Sequence, residues 1–530
     1  MLAAARVIPG GVTLDLEKLP SDPAELRAIL VQAAARIAEI EGERDAAVSE
    51  ADRLRGIIRE LQRHRFGRRS EQLSPDQLAL ALEDLEQTLA AAEARQPGAP
   101  KERVAARRKV NRGALPAHLP RLEQVIDIAD KTCPCCGGAM HKIGEDTSER
   151  LNVIPAQFQV LVTRRPKYAC RHCESAVVQA PAPAHLIEGG LPTEALLAHV
   201  IVAKYADHQP LYRQAQIYAR QGLLLDRSTL ADWVGRAAWW LRPLHQRLLV
   251  QLKTSAKLFA DETTAPVLDP GRGRTKTGQL WAYARDDRSW GGRDPPAVAY
   301  VYAPDRKAER PAAHLVGFTG VLQVDGYAGY RLLADTGRVS LAFCWSHVRR
   351  RFYEIATAGP APIATQALAR INDLYAIEAT IRGRSAEARH QARQDQSRPL
   401  VEALKPWLEV QLSTVSRKST LAGAIRYALA RWQGLCRFLE DGRIEIDSNT
   451  VERAIRPLAL NRKNALFAGS DGGGEHWAIL ASLIETCKLN AIDPLAYLAD
   501  VFSRLAAGHP INRLDELLPW AYIPAPDHVA

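Results

Sequence analysis

Apolar residues recur at every seventh position between Leu26 and Leu61, as Leu26, Ala33, Ile40, Ala47, Leu54 and Leu61. A second row, Leu30, Ile37, Ala51 and Ile58, lies four residues on and is broken only by Arg44. Two rows in register over about five heptads predict a coiled-coil helix, entered through Asp22, Pro23 and Glu25 as N-cap, N1 and N3. The alternative is one long amphipathic helix packed on its own protein, but the sustained register favours self-association. A second helix is expected after Ser74, Pro75 and Gln77, with Leu78, Leu82, Leu85 and Leu89 on one face.

Beyond the proline-rich stretch at 180–183 the apolar period turns helical again, over Leu191 to Tyr205, Pro210 to Arg220 and Ser228 to Trp240. Gly222 at the break would permit a helix-turn-helix whose second member begins at Ser228, although Trp233, Trp239 and Trp240 also suit a core. From Leu258 the period shortens to that of strands. Leu258 to Ala260, Gly278 to Arg285, Ala297 to Ala303, Val321 to Val324 and Arg338 to Phe343 are each short, apolar and bounded by polar loops. A helix over Asp305 to Val316 separates the third from the fourth. Three strands in series, then strands alternating with helices, predict a mixed sheet of ribonuclease H type, with a mostly helical insertion at 358–440. The fold class expected is therefore multidomain α+β.

With 530 residues and 47% hydrophobic content, the chain can bury several cores, which excludes global disorder. Neither a secretory leader nor a membrane span is read in the sequence, so a cytoplasmic, DNA-associated protein is expected. The formal charge of +10 and a pI near 9.2 favour a polyanionic partner. The charge is concentrated: Lys101, Arg103, Arg107, Arg108, Lys109 and Arg112 crowd a linker-like stretch, where DNA phosphates compete with plain solvation as the explanation.

That basic stretch precedes all of the cysteines. Of eight, five fall between Cys133 and Cys173. Cys133 with Cys136, and Cys170 with Cys173, form two C-x-x-C knuckles, each able to offer two thiolates to one tetrahedral Zn2+. The strand-rich segment Phe158 to Tyr168 could return the chain between them, leaving Cys135 spare and His141 and His172 as secondary candidates. A closed site of four cysteines is structural and does no chemistry; disulfides are the competing reading and do not suit a cytoplasmic protein.

The catalytic candidates are acids. Asp261 and Asp325 follow apolar strands, and Glu452 falls in the first turn of a helix among Arg453, Arg456, Arg462 and Lys463, cations suited to DNA phosphates. Arg349 and Arg350, after Cys344-Trp345-Ser346-His347, add to that basic set. Opening a phosphodiester requires activating the incoming oxygen and stabilising the leaving one, which two Mg2+ held by carboxylates accomplish. Spacing alone does not select these three acids, because Glu262, Asp335, Glu445 and Asp447 compete. Asn449, three residues before Glu452, also permits a merely structural capping box.

Taken jointly, several motifs resemble one family over nearly the whole chain. They are the stretch from Arg65 to Glu71, the double knuckle, Asp261-Glu262-Thr263, Asp325-Gly326-Tyr327, Cys344-Trp345-Ser346-His347, Glu452-Arg453-Ala454-Ile455-Arg456, Arg462-Lys463-Asn464 and Leu517-Leu518-Pro519-Trp520. The chain is similar to the large transposase subunit of bacterial insertion-sequence family sixty-six, a DDE-type recombinase. The resemblance implies Asp261, Asp325 and Glu452 as the Mg2+-binding triad, and Cys344 and His347 as structural or site-supporting. It implies cleavage at the ends of an element in double-stranded DNA and attack of the exposed 3′-hydroxyl on target DNA. Small accessory proteins of the same element are implied partners. One departure is Ser448, where the family usually has asparagine before Asn449. A ribonuclease H-like nuclease and a catalytically inactive DNA-binding regulator are the alternative functions.

The domain order expected is an N-terminal coiled coil at 1–95, a basic linker at 96–125 and a zinc module at 126–180. A helical region at 181–250, a candidate helix-turn-helix, follows. The catalytic domain is expected at 251–505, and a C-terminal tail at 506–530.

Overall fold

The computed structural model describes residues 157–169, 177–269 and 273–523, with scattered positions between 121 and 139. The expected coiled coil, the basic linker as far as residue 120 and all four proposed zinc ligands, Cys133, Cys136, Cys170 and Cys173, lie outside the described residues. A short antiparallel pair, β1 (Lys167–Ala169) and β2 (Val177–Gln179), brackets the second cysteine knuckle in sequence. Of the segment Phe158 to Tyr168, only the last two residues enter a ladder.

Three helices follow: α1 (Glu194–Tyr205), α2 (Leu211–Ala219) and α3 (Arg227–Lys253). Thr193 caps α1, its hydroxyl accepting from the Leu196 amide. The third helix runs well past the expected Trp240, because its buried stripe continues through Leu241, Leu244, Leu248 and Leu252 against the sheet.

All five expected strands of the main sheet are present: β3 (Lys257–Asp269), β4 (Arg274–Arg285), β5 (Ala297–Ala303), β6 (Gly320–Val324) and β7 (Val339–Phe343). The helix α4 (Glu309–His314) is shorter than expected. The spatial order is β5-β4-β3-β6-β7; the first three pair antiparallel, and β3, β6 and β7 run parallel. Because helices cover both faces, β4 and β5 are buried on successive residues, and their sequences read as apolar runs without alternation.

After β7 come α5 (Trp345–Ala358) and the insertion helices α6 (Pro362–Ile381), α7 (Ala386–Ala392), α8 (Arg398–Thr414), α9 (Thr420–Leu429) and α10 (Trp432–Glu440). The chain then returns to the sheet through α11 (Asn449–Ala465), α12 (Asp471–Leu489) and α13 (Pro494–Ala506). The edge strand β5 is closed by α12. Ser482 Oγ accepts from the Tyr300 amide at 2.8 Å, and Thr486 Oγ1 accepts from the Val298 amide and donates to its carbonyl. Two side chains thus satisfy an edge that would otherwise invite another strand.

The insertion packs with α5 in a second apolar cluster, around Trp345, Phe352, Leu404 and Phe438. By contrast, α1 and α3 share one continuous core with the sheet, so packing continues across the expected boundary at 250. The residues after 506 are packed as well: Leu514, Leu517 and Leu518 are buried, and Tyr497 donates its hydroxyl to the Leu517 carbonyl at 2.6 Å.

Candidate active site

The parallel half of the sheet sets the site. The register pairs Phe259 with Gln323, and its continuation carries Asp261 opposite Asp325. Val324 pairs with Phe343, so the next row brings Asp325 beside Cys344. Asp261, Asp325 and Cys344 thus lie on one row across the C-terminal edge of three parallel strands. Asp261 is not at a strand terminus as expected, for β3 continues to Asp269 against β4; it sits where the parallel ladder to β6 has ended.

The local bonds fix both aspartates. Asp261 Oδ1 accepts from the Glu262 amide and Asp325 Oδ1 from the Tyr327 amide, each at 2.8 Å. Burial, reinforced by the charges of Glu262 and Asp325, pushes the Asp261 carboxyl well above the ordinary carboxylate range. Glu262 is raised too, by burial and by Asp325, although Arg306 opposes the shift through an ion pair in which Nε donates at 2.7 Å. Among the described residues neither Asp261 nor Asp325 has an arginine or lysine ion-pair partner. A cluster of three carboxyls of which only Glu262 has an arginine partner among the described residues fits a hard cation with oxygen ligands.

Glu452 arrives from the far side of the insertion. Gln323 Nε2 donates to the Glu445 carbonyl and Gln323 Oε1 accepts the Glu445 amide, both at 2.9 Å. The Trp345 amide donates to the Ile446 carbonyl, and the Ser448 amide to Cys344 Sγ at 3.2 Å. These contacts bind the segment 445–448 to the sheet and start α11 beside Cys344.

The capping box does not form. Ser448, not Asn449, is the N-cap, and neither side chain caps the helix. Ser448 Oγ instead donates to Glu452 Oε1 at 3.1 Å, while Asn449 Nδ2 turns back to Asp447.

The buried Glu452 thus belongs with Cys344 and His347, whose potential ligand atoms lie within 4.8 Å of one another and of its carboxylate. His347 Nδ1 is 3.8 Å from Glu452 Oε1, and His347 also acts electrostatically on Asp261. Burial pushes the Cys344 thiol up to about 12, so it is protonated at neutral pH.

The basic candidates divide. Arg453 and Lys463 are exposed and Arg456 is half-buried. Arg462 donates to the Thr264 carbonyl at 2.5 Å, tying α11 to β3. Arg349 is buried and donates to Asn372 on α6; Arg350 pairs with Glu354 one turn on. Arg349 and Arg462 therefore have structural partners, and their DNA role is not supported by exposure. Glu262 was legible only as a competing acid, and Arg306, its ion-pair partner, carried no signal in the sequence that singled it out.

Comparisons with known proteins agree with this arrangement of segments. The profile of the Transposase IS66 family matches residues 189–476, and that of the IS66 C-terminal element matches 482–520. The zinc-finger binding domain of transposase IS66 matches 130–174, and the profile described as Transposase C of IS166 homeodomain matches 53–123. Among curated proteins, the uncharacterized protein y4jD of Sinorhizobium fredii is 48% identical over 88% of this chain and 94% of its own. The uncharacterized protein y4qI of the same organism is 44% identical over 97% of this chain and 99% of its own, and y4hP is 39% identical over 88% of each.

Proposed function

The chain belongs to the IS66 transposase family, and on that premise we propose that it is a DDE-type enzyme which cleaves element ends and joins the exposed 3′-hydroxyl to target DNA. The observation that carries this reading is the cross-strand pair of Asp261 and Asp325, neither of which has an arginine or lysine ion-pair partner among the described residues. The strand order, antiparallel then parallel, supports a ribonuclease H-like catalytic domain around that pair.

In this reading Asp261, Asp325 and Glu452 hold Mg2+, hard oxygen donors suiting that ion. When bound, the metal supplies activation of the attacking oxygen and stabilisation of the leaving one. The chain's own residues do the rest. The amides of Glu262 and Tyr327 orient the two aspartates, and Ser448 with His347 orients Glu452. Arg306 neutralises Glu262, which keeps a fourth acid out of the set. Arg453, Arg456 and Lys463 offer charge to DNA phosphates from the helix that carries Glu452.

The zinc-finger segment would hold Zn2+ through Cys133, Cys136, Cys170 and Cys173, as a structural module on double-stranded DNA. The N-terminal heptads would pair protomers so that two sites serve two ends. Domains at 1–95 and 126–180 remain the proposed division ahead of a catalytic domain, whose proposed core at 251–505, with its insertion at 358–440, shares its packing with α1, α3 and residues after 506. Small accessory proteins of the element are proposed partners.

The test is strand transfer by purified protein with a labelled element end and magnesium, beside Asp261→Asn, Asp325→Asn and Glu452→Gln. Transfer by the parent and by none of the three supports the triad. Retained transfer by any one of them removes that residue from it. Cleavage without joining would favour a nuclease.

A further inference from the structure

Two guanidinium groups flank one aromatic ring at the edge of the site. Arg351 and Arg431 each place Cζ 3.9 Å from the ring centroid of Tyr427. Tyr427 lies on α9 of the insertion, Arg431 just after that helix, and Arg351 on α5 behind β7. The ring is tied to the loop after β6. Tyr427 donates its hydroxyl to the Asp325 carbonyl at 2.7 Å, and Arg431 Nη2 donates to the Gly326 carbonyl at 3.2 Å. Gly326 has φ +100°, and a Cβ there would stand 2.5 Å from Arg431 Nε. Glycine is needed both for the turn and for the approach of the guanidinium.

Arg351 is exposed, and among the described residues it has neither a carboxylate partner nor a hydrogen-bond acceptor. Nor does Arg431 pair with an acid among them. Like charges gathered on one ring repel each other unless an anion completes the group. Stacking holds a guanidinium by its face and leaves its in-plane N–H groups available, a geometry matched to phosphate oxygens.

We propose that Arg351, Tyr427 and Arg431 form a docking site for a DNA phosphate neighbouring the one that reacts. Arg351 makes the contact, and Tyr427 and Arg431 are positioning residues that hold it at a fixed place relative to Asp325. The proposal rests on the reading of Asp325 as catalytic for its meaning, but not for its measurement.

The experiment is binding of a short fluorescein-labelled duplex carrying an element end to the full chain, in calcium buffer so that no strand is cut, across a salt series. Arg351→Gln is compared with Lys405→Gln, which removes one charge from an exposed site elsewhere on the insertion. Arg351→Gln is expected to weaken binding roughly ten-fold and to lower the slope of log K against log salt by about one. A loss equal to that of Lys405→Gln overturns the site. Tyr427→Phe is expected to keep affinity and slope but to slow single-turnover cleavage in magnesium about ten-fold. An unchanged rate overturns the positioning role. Full cleavage by Asp325→Asn would defeat the triad instead, and leave the binding comparison standing. Unchanged melting of Arg351→Gln, expected at an exposed position, separates binding from unfolding.

Discussion

Gln323 holds Glu445 by both halves of its backbone: the side-chain amide donates to the carbonyl and accepts the N–H, each at 2.9 Å. Gln323 is buried on the central parallel strand, so this polar pair is what docks the end of the insertion onto the sheet and delivers α11 to the site. Gln323→Leu would leave both backbone groups buried without partners, a loss of about 2–4 kcal/mol. We expect lowered stability in urea and strand transfer reduced more than DNA binding. Full transfer by this variant would show that Glu452 reaches its place without this clamp.

Ser448 is the second element of that delivery. Its hydroxyl donates to Glu452 Oε1, so Ser448→Ala should reduce transfer roughly ten-fold while costing only about 1 kcal/mol of stability. Ser448→Asn restores a donor and is expected to recover most of the rate. Equal activity of all three proteins would remove the hydroxyl from any orienting role.

Arg389 joins the insertion to the same segment. It is buried and forms a bidentate pair with Glu445, at 2.9 and 3.0 Å, with Glu378 close by. Burial would raise the Glu445 carboxyl, but Lys257 and Arg389 outweigh it and hold it down at about 2. Removing one partner strands a buried charge, so Arg389→Ala is expected to cost about 3–5 kcal/mol. The pair Arg389→Met with Glu445→Gln should lose less than Arg389→Ala alone; a larger loss in denaturant melts would mean that the ion pair is net stabilising here.

His245 predicts the response to acid. Burial lowers its pKa from 6.5 to about 4, and its Nε2–H donates to the Tyr300 carbonyl at 2.8 Å. The folded state therefore holds this ring neutral, whereas the unfolded chain takes up a proton below 6.5. Stability from this group is complete above 6.5 and falls as pH drops toward 4, by about 1.4 kcal/mol per unit. His314, likewise lowered to about 4 by burial, acts in the same direction. Urea melts at successive pH values should show this slope, and His245→Gln, which retains a donor, should flatten it. An identical slope in the variant would assign the acid loss to other groups.

Legibility followed the range of the interaction. The five strands of the main sheet were readable because alternation and apolar runs are local, and so were Asp261 and Asp325 as acids in or beside such strands. Arg349 and Arg462 read as cations for DNA because charge is visible in a sequence and burial is not; one binds Asn372 and the other Thr264, 23 and 198 residues away. Asn449 and Glu452 matched a capping box at the right spacing, yet Ser448 takes the carboxylate because Cys344 and Gln323 hold that segment in place.

The sequence by itself determined the secondary-structure order of the sheet, the cysteine knuckles, the candidate acids and the family resemblance, since periodicity and motif spacing are written in neighbouring residues. Tertiary structure alone decided that Asp261 lies across from Asp325, that Glu452 sits with Cys344 and His347, and that Tyr427 gathers Arg351 and Arg431. Those relations depend on strand register and on single polar side chains closing over long loops. Neither leaves a period in the chain.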